Sequence, residues 1–129
     1  MKRSVLLTIT SLISVVLMVF HISDEIARGL EQGGMNMVFP LIVVAGLVYG
    51  ILVPAGRWRY GVSLVVAILG AGIPIVHMSG GGLIGGRIGV DSSGSLFWVF
   101  QNMTLAIVSM FSLILAVRCL WNPEWAESR

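Results

Sequence analysis

Apolar residues fill four stretches of this chain, 5–22, 37–53, 62–78 and 96–117, separated by short polar or glycine-rich segments. Each stretch is about 17 to 22 residues long, close to the ~20 that a helix needs to cross a hydrocarbon core of ~30 Å. The pattern predicts an all-α, polytopic integral membrane protein. Its four transmembrane helices, over about 5–30, 36–53, 60–78 and 95–118, form an antiparallel bundle that makes up a single domain, 1–129, with an outer loop at 79–94.

Local residues refine these boundaries. The helical pattern of the first stretch runs on through Asp24 towards Gly33-Gly34, a plausible stop, and no small-x-small site closes the apolar run; it is therefore read as a retained helix and not as a cleaved leader. Asn36 is positioned to cap the second helix, with Pro40 in its opening turn. The short hairpin at 54–59 makes the second and third helices antiparallel neighbours. Pro74 cannot donate to the carbonyl of Gly70, so a kink or an unwound turn is expected one turn before His77. Ser95 is a reasonable cap for the fourth helix, and Asn122-Pro123 ends it, leaving a short polar tail.

Composition agrees with a lipid solvent: the 129 residues are 57% hydrophobic and only 11% charged, whereas soluble domains carry about a quarter charged residues. Lys2, Arg3, Arg57, Arg59, Arg118 and Arg129 fall on one side of the predicted spans, and Arg28 and Arg87 on the other. The positive-inside rule then puts both termini in the cytoplasm and the 24–36 and 79–94 connections outside. Trp58, Tyr60, Trp121 and Trp125 gather at the cytoplasmic rim and Trp98 at the outer one, as an aromatic belt requires. The compactness and short linkers point to a bacterial inner membrane.

The net charge of +2 follows from this topology. The basic residues form no stripe, so nucleic acid is not an expected partner. Nor is a nucleotide, because the glycines of 79–94 lack the Lys-Ser/Thr that completes a phosphate loop. A lone Cys119 allows neither an internal disulfide nor a cysteine zinc site.

Candidate chemistry concentrates at one level. His21, Asp24, Glu25 and Arg28 share a helical face at i, i+3, i+4 and i+7. His21, His77 and the Gln101-Asn102 pair each lie about 17 residues, or roughly 25 Å, from the cytoplasmic end of their spans. A compact bundle would bring them to one outward-facing pocket, and ionisable groups within a membrane mark functional sites by default. His21 and His77 with a carboxylate would suit a metal ion, two axial imidazoles would hold a haem, and a histidine–carboxylate pair would handle a proton. No HExxH, CxxCH or paired ExxH motif decides among them, and without a GxSxG turn no hydrolase is expected.

The expected function is thus a non-enzymatic one. An outer polar pocket binds or passes a small ligand, whether a proton, a metal ion or a cofactor. In it His21 and His77 are ligands or proton acceptors, Asp24 or Glu25 the charged partner, Arg28 the counter-ion and Asn102 an orienting donor. The alternative is an accessory or self-associating subunit. There Gly46 and Gly50, with Ser63, Ala67 and Ala71, form small-residue helix faces for a second copy or a membrane-complex partner besides the surrounding bilayer.

Overall fold

The computed structural model describes residues 2–27, 29, 34–53, 56–77 and 95–127, and all its regular elements are helical. In chain order they are α1 (Arg3–Ala27), a 3-10 turn (Gly34–Met37), α2 (Val38–Leu52), α3 (Arg57–His77), α4 (Ser95–Trp121) and a short α5 (Pro123–Glu127). Three helices are long and apolar enough to cross a membrane: α1, α3 over Arg57–Ile75 and α4 over Phe97–Trp121. α2 is apolar but shorter, at 15 residues.

Two local expectations are corrected and two are refined. α1 stops at Ala27, before Gly33-Gly34, because Gly29 adopts φ 69° and its N–H donates to the Ile26 carbonyl at 2.9 Å, a left-handed close that glycine accepts without a Cβ penalty. Asn36 lies inside the 3-10 turn; Met37 holds the N-cap position of α2 and makes no side-chain cap. α3 stays helical through Pro74, so of the two expected outcomes the unwound turn does not form, and the proline costs the helix one hydrogen bond. α4 ends before Asn122-Pro123 as expected, and the short tail forms a further helix: Asn122 Oδ1 accepts from the Trp125 N–H at 3.0 Å and Pro123 takes the first helical position, a cap and an N1 proline that start α5 where α4 ends.

α4 lies against both α1 and α3, while α2 packs on the flank formed by α1 and α3. Two apolar clusters hold this arrangement. Leu7, Tyr60, Leu115, Ala116, Cys119 and Ala126 pack at the end where the chain starts and finishes, and Val15, Met18, Ile51, Val66 and Leu105 pack further along. At that first end Lys2 Nζ meets Glu127 Oε2 at 2.9 Å, the Arg3 guanidinium lies 4.4 Å from the centre of the Trp125 ring, and Arg57 Nη2 donates to the Leu120 carbonyl at 3.2 Å. Both chain ends therefore share one rim. Large apolar side chains such as Phe20, Ile42, Phe100 and Ile107 point outward, the inverse of a soluble protein and the arrangement a lipid solvent favours.

Candidate functional site

The polar residues that matter lie inside the bundle, on the faces α1 and α4 turn towards each other. Ser14 and Ser109 fix the register: the Ser109 hydroxyl donates to Ser14 Oγ at 3.2 Å, and Ser14 donates in turn to the Thr10 carbonyl at 3.1 Å. Because the two helices run antiparallel, two turns away from the chain ends bring His21 level with Asn102, and one turn the other way brings Ser11 level with Ser112.

At the level far from the chain ends His21 is 2% exposed, and its Nε2 lies 3.4 Å from Glu25 Oε1 one turn later on the same helix. The Trp98 ring of α4 stands beside the imidazole, with centroids 6.4 Å apart and planes tilted by 39°. Gln101 crosses from α4 to α1: its Nε2 donates to the Leu17 carbonyl at 3.2 Å. Asn102 instead donates back to the Trp98 carbonyl at 2.9 Å. Among the described residues, neither Gln101 Oε1 nor Asn102 Oδ1 finds a hydrogen-bond donor, though both are buried. Two amide oxygens thus remain available to accept beside a histidine–carboxylate pair. Sequence reasoning chose Asn102 as the orienting donor; the residue that reaches across is Gln101, its neighbour, set about 100° around the helix.

The remaining candidates divide. Asp24 is half-buried beside Glu25. Arg28 and the 79–94 loop lie outside the described residues. His77 closes α3, at the same end of the bundle as His21, but its side chain lies outside the described part, and the two-histidine metal or haem arrangement depends on that ring. Among the described residues no three His, Cys, Asp or Glu side chains gather as metal ligands.

Of the small-residue positions, Ser63, Ala67 and Ala71 are buried within the chain. Gly50 packs so closely on α3 that an added Cβ would lie 3.0 Å from both γ-carbons of Val62, whereas nothing stands within 4 Å of one at Gly46. Gly70 abuts Ser109, whose hydroxyl would overlap an added Cβ. A cavity of about 230 Å³ between α1 and α2, lined by Val19, Ile22, Met37, Pro40 and Val44, lies on the far side of α1 from His21 and is apolar.

Between the His21 level and the chain ends the interior is lined with hydroxyls. Ser11, Ser63 and Ser112, from α1, α3 and α4, are each 0% exposed, and their hydroxyls have no hydrogen-bond partner among the described residues. A helix serine or threonine can bond back to the preceding turn, as buried Ser14 does here and as Thr8, Ser23 and Thr104 do nearer the surface. At the opposite rim, Tyr60 Oη donates to Glu127 Oε1 at 3.3 Å. Glu127 is held below the ordinary carboxylate value, first by its hydrogen bond from Lys2 and by that residue's charge, against some desolvation, and further by the Tyr60 and Ser4 hydroxyls.

The chain matches no protein-family model, no curated protein and no solved structure.

Proposed function

We propose that this is a four-span protein of a bacterial inner membrane, both ends cytoplasmic, whose outer pocket takes up and releases a proton at His21 and Glu25 without catalysing a reaction. The observation that carries this reading is the His21–Glu25 pair itself: an imidazole 2% exposed, 3.4 Å from a carboxylate, inside a bundle of apolar helices. A group so buried is costly to retain unless it works, and histidine is the side chain whose ordinary titration falls between about pH 5 and 8. Trp98, Gln101 and Asn102 line the α4 side without a charge of their own, so the proton is shared between the two α1 residues and is oriented by amides.

The four-span topology draws support from α2 and its lead-in. Fifteen helical residues and the four of the preceding 3-10 turn reach about 30 Å end to end, the thickness of a hydrocarbon core. Lys2, Arg3, Arg57 and Arg118 at the shared rim favour the cytoplasmic side for it.

The test is infrared difference spectroscopy of the protein in liposomes during a pH step. Imidazole and carboxylate bands that change together, and that vanish in His21→Gln and Glu25→Gln respectively, support the reading; spectra indifferent to both substitutions refute it. Stoichiometric metal or a haem absorption band lost in His21→Ala would replace the proton by a metal-centred ligand in the same pocket. One observation favours the accessory reading as well: Ile42, Gly46 and Tyr49 form an outward face of α2 that nothing in the described chain covers. Loss of function after Gly46→Leu, with none after His21→Gln, would select it.

A further inference from the structure

The buried hydroxyls have a use that the outer pocket alone does not give them. We infer that they form a proton path through the bundle, from the His21–Glu25 pair at one rim to the Tyr60–Glu127 pair at the other; this rests on the proton-binding reading of the outer pocket. Four observations line up along the bundle axis. At the outer level, Gln101 Oε1 and Asn102 Oδ1 are buried acceptors without a donor among the described residues. At mid-depth, Ser109, Ser14 and the Thr10 carbonyl already form a directed chain of hydrogen bonds. One turn further in, Ser11 and Ser112 share a level, and Ser63 lies about a turn beyond them on α3, all three hydroxyls fully buried and unpartnered among the described residues. At the inner rim, Ser4 and Tyr60 both hydrogen-bond to Glu127.

A buried hydroxyl without a protein partner costs free energy, and small molecules able to make two to four hydrogen bonds, water above all, are the usual remedy. Water bridging Ser11, Ser112 and Ser63 would supply the links that the side chains leave open. The Thr10 carbonyl passes no proton, so Ser14 turns its hydroxyl from it to a water for transfer; each hydroxyl or water then accepts one proton and releases its own, and the hydrogen bonds turn back before the next transfer.

The narrow place is the apolar layer of Met18 and Leu105 between His21 and Ser14. Two polar groups reach into it. Gln101 holds the Leu17 carbonyl there, and Pro74 offers no N–H to the carbonyl of Gly70, the residue that abuts Ser109. Among the described residues, the titratable groups at the two ends are Asp24, Glu25 and, at the end of α3, His77 on the outer side; Lys2, Tyr60, Cys119, Glu124 and Glu127 stand on the inner side with the Arg3, Arg57, Arg59 and Arg118 cations.

The experiment is proton flux into liposomes carrying an internal pH dye, driven by a potassium gradient with valinomycin. Wild-type protein is expected to conduct above empty vesicles, and conduction is expected to fall to the empty-vesicle rate in His21→Gln and in Ser11→Ala/Ser112→Ala. Alanine fits the serine sites and favours helix, so a melting temperature no lower than wild type certifies that the double variant is folded. Wild-type flux equal to that of empty vesicles overturns the path, as does undiminished flux in Ser11→Ala/Ser112→Ala. Titration of His21, followed separately by nuclear magnetic resonance in the same double variant, keeps the two readings apart: a His21 that titrates without flux leaves the outer pocket standing and removes only the path.

Discussion

Gly70 is where the packing of the bundle can be tested with a single methyl group. An added Cβ would overlap Ser109 Oγ, and it would lie 3.2 Å from Ser109 Cβ and 3.3 Å from Leu105 Cδ1, both tighter than ordinary carbon contacts. Turning the Ser109 hydroxyl aside relieves the first clash but breaks its bond to Ser14, and the backbone-held Cβ remains in the way. Overfilling a close-packed site costs about 1–3 kcal/mol. Loss of an interhelical hydrogen bond in a membrane adds roughly 0.6 kcal/mol. Against this, alanine gains up to about 1 kcal/mol over glycine as a helix former. Gly70→Ala should therefore lower stability by about 1–2 kcal/mol, with Gly70→Val lower still. Reversible unfolding in mixed micelles, or steric trapping in bicelles, measures this. Gly46→Ala and Gly72→Ala provide internal controls, since nothing stands within 4 Å of a Cβ at either site. The double variant Gly70→Ala/Ser109→Gly should recover part of the loss. A Gly70→Ala protein as stable as the controls would refute the α3–α4 contact as described, and with it the register that aligns the interior hydroxyls.

Other consequences follow from the same geometry. Ser14→Ala and Ser109→Ala each remove the Ser109–Ser14 hydroxyl bridge between α1 and α4 and should cost about 0.6 kcal/mol singly, with little further loss in the double variant; additive losses in a double-mutant cycle would contradict the contact. Gly50→Leu should destabilise the chain through Val62, while Gly46→Leu should leave unfolding unchanged and act, if at all, on oligomeric state measured by crosslinking. Because Lys2 lowers the carboxyl of Glu127 relative to the unfolded chain, the clasp between the chain ends contributes fully above the ordinary carboxylate value and is lost as pH falls through the lowered one. Trp125 fluorescence should report that loss on acidification and should not do so in Glu127→Gln. Both partners are more than half exposed, so added salt should shrink the effect at neutral pH as well.

Much of the architecture was legible because membrane helices announce themselves by length and apolarity. The spans expected at 60–78 and 95–118 correspond to α3 and α4 within a few residues, and α1 differs mainly in stopping short at Gly29. α5 was not legible, for a specific reason: Asn-Pro terminates one helix and equally well begins another, and only the burial of Ala126 against the inner cluster decides which. The candidate site was legible as a level more than as a set of contacts. Depth counting grouped His21 with the Gln101-Asn102 pair, yet it could not tell which amide turns to α1, because adjacent residues on a helix differ in direction and not in depth. The serines were the hardest to read. Their type predicts a bond to the preceding turn, as Ser14 makes, and nothing local marks Ser11, Ser63 and Ser112 as departures; that distinction depends on neighbouring helices.

The account turns on whether His21 exchanges a proton in the membrane, and nitrogen-15 magnetic resonance of histidine-labelled protein in lipid bilayers, with His77→Gln to leave a single imidazole, observes that group directly. The account predicts that the His21 nitrogens move from the neutral to the doubly protonated pattern as the bathing pH is lowered between about 8 and 5, and that Glu25→Gln alters this titration. An imidazole that keeps one protonation state throughout that range, with or without Glu25, would contradict it.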